Sequence, residues 1–177
     1  MDIQDYDRFY HADISTQIDN KWKEDTVLGI VRDSRRYSIK IRAINKEELK
    51  RRFIVLGDSR SDKKHNKKVV AIIYSFLLYN ALCDFPEANP LLLCRDVRPE
   101  RLVIHYLQKI SNFYNNKRVL DRVIKFRKRS EFESSEKLPK SLAGMYTRKV
   151  FQGKIEVTRV LEKKEVEDVI EIISKII

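Results

Sequence analysis

Leu91-Leu92-Leu93-Cys94-Arg95-Asp96 decides how the rest of the chain is read. Four apolar residues with no polar alternation describe a strand covered on both faces, the pattern of a central parallel strand. The run ends on an aspartate. Upstream, Tyr37, Ile39, Ile41 and Ala43 alternate with Ser38, Lys40 and Arg42, which predicts a half-buried strand over Tyr37 to Ala43. Thr26 to Val31 is a second strand, and Arg32-Asp33-Ser34-Arg35-Arg36 is a polar turn of hairpin length between the two. Phe9 to Ile14 adds a short β-prone run that contains one acid, Asp13. The first quarter therefore predicts a strand followed by an antiparallel hairpin.

Helices fill the intervals. Asn45 caps a short helix holding Glu47, Glu48 and Leu49, whose acids suit the positive end of the helix dipole. Asp62 to Leu82 carries one stripe, filled by Val69, Ile72, Phe76 and Tyr79. Pro99 fits the first turn of a helix over Glu100 to Phe113, which buries Leu102, Val103, Tyr106, Leu107 and Ile110. Arg118 to Lys128 suits strand or helix, and strand is preferred. Pro139 to Tyr146 starts a helix, Ile155 and Val157 mark a last strand, and Glu162 to Ile177 is an amphipathic helix through Val166, Val169, Ile170, Ile173 and Ile177. The expectation is a single α/β domain over residues 1–177. It has a mixed five-stranded sheet, helices on both faces and a C-terminal strand-helix extension from about residue 150.

The chain has 177 residues with 37 Lys+Arg against 26 Asp+Glu, a net charge of +11. That length buries a full core, and 42% hydrophobic residues exclude a disordered tail. The charge points to a polyanionic partner, although a Lys- and Glu-rich surface is also an adaptation to heat. Cys83 and Cys94 are the two cysteines, too few for a disulfide framework or an all-cysteine zinc site. The acids Asp2, Asp5 and Asp7 do not suit a leader, and the apolar stretch Val69 to Cys83 is too short for a span. A soluble, cytoplasmic protein is expected. The four glycines are too dispersed for a phosphate cradle.

The inferred order of three antiparallel strands, a helix, a buried strand and a helix resembles the ribonuclease H-like fold. The family's opening strand carries a first acid, where Tyr10-His11-Ala12-Asp13-Ile14-Ser15 places Asp13. Another acid sits at the tip of the first parallel strand, where Leu93-Cys94-Arg95-Asp96 is similar. The resemblance covers about residues 9 to 130. It implies that the strands of Asp13 and Asp96 are neighbours and that the two carboxylates bind Mg²⁺ or Mn²⁺. A pair of such ions stabilises both oxygens of a phosphodiester exchange. For the remaining acid Asp62, Asp58 and Glu48 compete. Asp62 shares the stripe of Val69 and Phe76, and its plainer role is as a helix-terminal acid. Asp96 equally suits a helix cap before Pro99, and Asp13 a water-exposed strand end. His65 is a lesser candidate as proton carrier. The family places a last acid at the start of a late helix, and Lys140-Ser141-Leu142-Ala143-Gly144 carries none.

Charge is segmental. Residues 98–129 hold ten bases against Glu100 and Asp121, and residues 46–68 hold nine against four. Lys117, Arg118, Arg122, Lys125, Arg127, Lys128 and Arg129 are the expected phosphate contacts. Phe113, Tyr114 and Phe126 among them suit base stacking or core packing. Three functions follow as expectations: a divalent-metal nuclease acting on DNA or RNA through Asp13, Asp62 and Asp96; a non-catalytic nucleic-acid-binding protein; and a self-associating module whose C-terminal isoleucine stripe forms a homodimer.

Overall fold

The computed structural model describes residues 8–15, 18, 21–55, 62–94, 100–127 and 142–176. Six strands form one mixed sheet: β1 (Tyr10–Ile14), β2 (Thr26–Arg32), β3 (Arg35–Ile41), β4 (Leu91–Cys94), β5 (Ile124–Arg127) and β6 (Arg159–Val160). Their order is β5-β4-β1-β2-β3-β6. β1 pairs antiparallel with β2 and parallel with β4, β4 pairs parallel with β5, and β3 pairs parallel with β6. The helices are α1 (Ala43–Val55), α2 (Asp62–Asp84), α3 (Glu100–Phe113), α4 (Lys117–Leu120), α5 (Leu142–Phe151) and α6 (Lys163–Ile176).

The unalternated run behaves as its composition requires. Leu91, Leu92 and Leu93 are buried between β1 and β5, because a parallel strand with neighbours on both edges has no wet face. β2 is likewise buried on both sides. Leu28 and Ile30 enter the larger core with Tyr10, Ala12, Ile39 and Leu93, while Val27 and Val31 pack under Tyr146 and Val150 of α5. Helices thus cover both faces, with α1, α2, α3 and α6 on one and α5 on the other. The hairpin between β2 and β3 closes on Asp33-Ser34, with Asp33 at a φ of 55°, a left-handed turn position that Asp tolerates.

Several expectations need correction. The sheet has six strands rather than five, because the C-terminal segment adds β6 to the β3 edge. Ile155 and Val157 are not in a strand; they pack beneath α5, and pairing begins two residues later at Arg159. Arg118 to Lys128 is not one strand: Lys117–Leu120 is a short helix and β5 starts only at Ile124. The helix around Asn45 runs much further, through Phe53, which is buried in the core. α2 has no single stripe. Every residue from Val69 to Leu82 is buried, since the sheet, α1 and α3 enclose it. Its polar side chains turn to backbone, Ser75 to the carbonyls of Ala71 and Val103, and Asn80 to that of Phe76. The isoleucine stripe of α6 is core rather than a dimer surface, because Val166, Val169, Ile172 and Ile173 are buried against the rest of the chain.

Arg159 explains why this C-terminal extension docks. One guanidinium nitrogen binds Asp84 at the end of α2 and another binds Glu165 in the first turn of α6. Asp84 also accepts a 2.5 Å hydrogen bond from the Tyr37 hydroxyl; burial, with Asp84 next in weight, raises that phenol above its ordinary range. Glu165 in turn caps its own helix by accepting from the Glu162 amide at 2.8 Å. No helix among the described residues is long and apolar enough to cross a membrane.

Gly29 sets how closely α5 lies on the sheet. A Cβ there would come within 2.5 Å of Thr147 Oγ1 and 3.1 Å of Tyr146 Cδ1. Gly29→Ala is expected to destabilise the fold by about 1–3 kcal/mol through overpacking. Urea denaturation of Gly29→Ala, Thr147→Ala and the double variant checks this. The second substitution recovers part of the first loss if the hydroxyl is the obstacle, and strict additivity would contradict it.

Candidate functional site

Asp13 sits on β1 between β2 and β4, opposite Gly29. Alternation directs Tyr10 and Ala12 into the larger core, so His11 and Asp13 lie on the α5 face. Asp13 is half-buried. Its Oδ1 accepts from the Ile14 amide at 2.8 Å, and its carbonyl accepts from Thr147 Oγ1 of α5 at 3.4 Å. The Ala12–Leu93 pair sets the last residue of β4, Cys94, next along from Asp13. Asp96 follows two positions later. The two strands are therefore parallel neighbours ending at one rim. Asp96 itself lies outside the described residues, as does Asp58.

The other acids fare differently. Asp62 is the first residue of α2. Glu48 is taken by two arginines of its own helix: Arg51 Nη2 at 2.7 Å and Arg52 Nε at 2.8 Å. These hydrogen bonds, Arg52 first, hold its carboxyl below the usual range. Among the described residues no group of three His, Cys, Asp or Glu side chains is placed to hold a metal, and the first turn of α5 carries no acid.

The expected phosphate contacts are divided between the two ends of the sheet. Lys117 and Arg118 are exposed on α4, and Lys125 is exposed on the edge strand β5, its ammonium 5.2 Å from the Phe9 ring. Arg127 closes β5 in register with Cys94; Lys128 and Arg129 are outside the described residues. Arg122 is half-buried. Its Nε and Nη1 have no hydrogen-bond partner among the described residues, and burial pulls its pKa down. Of the aromatics, Phe126 packs on the core, whereas Phe113 and Tyr114 are 48% and 43% exposed. Tyr114 is stacked on Tyr79 at 5.3 Å.

Residues read in the sequence only as a polar turn prove to lie at the Tyr10 end of β1. Arg32 lies 4.1 Å over the Tyr10 ring and donates to the Arg8 carbonyl at 3.4 Å. Arg35 donates to the Tyr10 hydroxyl at 3.3 Å, and Arg36 lies 5.8 Å over Tyr146. Three arginines within five residues were the available signal. The ion pairs among described residues fall elsewhere, on residues 21–25, α1, the Arg159 hub and α6. None involves Arg8, Arg32, Arg35, Arg36 or Lys125.

A cleft of about 590 Å³ opens where Glu24, Asp25 and Lys40 face Val150, Phe151 and Ile155. Its charges are largely satisfied internally, Asp25 by Lys40 at 3.3 Å and Glu24 by Lys21 at 3.0 Å, which leaves little to select a charged ligand. Beside it Lys46 is fully buried, donating to the Lys21 carbonyl and Thr26 Oγ1, both at 2.9 Å. The chain matches no family model, no curated protein and no solved structure.

Burial lowers the Lys46 pKa to about 8, against about 10.4 in an unfolded chain. Between these values the unfolded state binds more protons, so this group's contribution to stability rises with pH. The stability of wild type minus that of Lys46→Met, from urea melts at pH 7 to 10.5, is expected to climb above about pH 8. A flat or falling difference would contradict the assignment.

Proposed function

We propose that this chain is a divalent-metal-dependent nucleic-acid-processing protein, a nuclease on a ribonuclease H-like sheet. The adjacency of β1 and β4 carries the proposal: it brings Asp13 and the strand end that leads into Asp96 to one rim of the sheet. The antiparallel hairpin β2–β3 on one side of β1 and the parallel strands β4 and β5 on the other support the same resemblance. The donor set fits a hard cation, since aspartate oxygens suit Mg²⁺ or Mn²⁺. Asp13 and Asp96 would hold the metal, which when bound polarises a phosphate and lowers the pKa of an attacking water. Asp62, opening α2, is the third acid. Cations of the β4–β5 side attract the backbone by counterion release, and Arg127 shares the register row of Cys94.

Binding without cleavage is the second reading. It is favoured by the absence of an acid from the first turn of α5. It is also favoured by the position of the exposed cations near Tyr10, three residues and about 10 Å along β1 from Asp13.

Labelled DNA and RNA, single-stranded and duplex, incubated with Mg²⁺, Mn²⁺ or chelator, separate the two. The nuclease reading expects chelator-sensitive cleavage that Asp13→Asn and Asp96→Asn each cut by about 100-fold or more. Undiminished cleavage by Asp13→Asn overturns it, and salt-sensitive retention with no products supports binding alone.

A further inference from the structure

The cations at the starting end of β1 form a surface of their own. Strand pairing sets Ile124, Leu91 and Tyr10 side by side, and the hairpin pair Arg32–Arg35 continues that row beyond Tyr10. Five strands at a spacing of about 4.8 Å make a row about 19 Å long. Arg8 precedes Tyr10 and Lys125 follows Ile124. Aromatic rings hold three of these cations, Arg32 on Tyr10, Arg36 on Tyr146 and Lys125 on Phe9. None of the ion pairs among the described residues engages them, which leaves their charge available to a partner. Arg35 bonds the Tyr10 hydroxyl, with the Glu87 and Asp33 carboxylates in its field. The exposed rings belong to the same end. Tyr114 stacks on Tyr79 of α2, and just beyond that helix the Phe85 ring contacts both Tyr10 and Tyr37 beneath the row.

We propose that this end of the sheet is a track for single-stranded nucleic acid. Arg8 and the hairpin residues Arg32, Arg35 and Arg36 hold the phosphates, and Phe113 and Tyr114 take bases. The proposal rests on the nucleic-acid reading above and adds strandedness and a second contact surface to it. Arginine's planar fork suits phosphate oxygens. Exposed rings stack only on bases that are not already paired and stacked in a duplex. The track approaches Asp13 without using it, so binding and cleavage are separable by mutation.

Fluorescence anisotropy of the full chain with a labelled oligothymidylate, its RNA counterpart and a duplex of equal length, over a series of salt concentrations, tests this. Single strands are expected to bind more tightly than duplex. Arg8→Gln/Arg35→Gln/Arg36→Gln alters only exposed side chains. It is expected to weaken single-strand binding about tenfold or more and to flatten the log–log salt slope by about 2, at about 0.7 per charge. Phe113→Ala/Tyr114→Ala is expected to weaken binding with the slope unchanged. Wild-type affinity and slope in the arginine variant, with an unchanged melting temperature, overturn the track while leaving nucleic-acid binding intact. Tighter duplex binding overturns the strandedness. No binding by wild type to any probe removes the nucleic-acid reading itself.

Discussion

Everything near Asp13 depends on β1 being hydrogen-bonded along both edges, antiparallel to β2 and parallel to β4. A parallel neighbour must be reached by a crossover, and here α1 and α2 intervene between the hairpin and β4. The crossover makes β4 finish where β1 finishes, so Asp13 and the end of β4 at Cys94 share one rim. Gly29 then lets α5 settle against the other face, where Thr147 reaches the Asp13 carbonyl. A half-buried aspartate in a central strand is costly unless its oxygens find donors or cations, and the Ile14 amide supplies one donor.

Among the described residues Arg159 joins α2, β6 and α6 through two carboxylates, one of them Asp84 beside Phe85, whose ring contacts Tyr10. Among the described residues the arginines of the hairpin have no such partners: Arg32 and Arg36 rest on rings and Arg35 bonds the Tyr10 hydroxyl. Surface ion pairs contribute little to stability, so the lack of such pairs on these cations among the described residues costs the fold little.

Much of the architecture was legible because it depends on local pattern. The leucine run of β4, the alternation of β3 and the stripe of α3 each declare a period and a degree of burial. What escaped depended on tertiary placement. Ile155 and Val157 have strand-like spacing, yet their burial comes from packing under α5, and the pairing edge of β3 lies opposite Arg159 instead. The stripe of α6 was ambiguous in principle, since an apolar face reads alike whether it meets a core or a second copy. Arg32, Arg35 and Arg36 look like any polar turn until the register sets them beside Tyr10, and Lys46 carries no mark of burial in its neighbours Asn45 and Glu47. Of the proposed site, the acid on β1 and the adjacency of its strand to β4 were readable from element order, while the meeting of the hairpin arginines with Tyr10 was not.

The central claim is that the ends of β1 and β4 form one cation-binding rim. Titration of Mn²⁺ into isotope-labelled protein, followed by paramagnetic broadening of backbone amide resonances, addresses it directly and needs no turnover. Broadening is expected first at Asp13, Ile14 and residues 94–96, and is expected to disappear in Asp13→Asn. Uniform broadening, or broadening centred elsewhere and indifferent to that substitution, would contradict it.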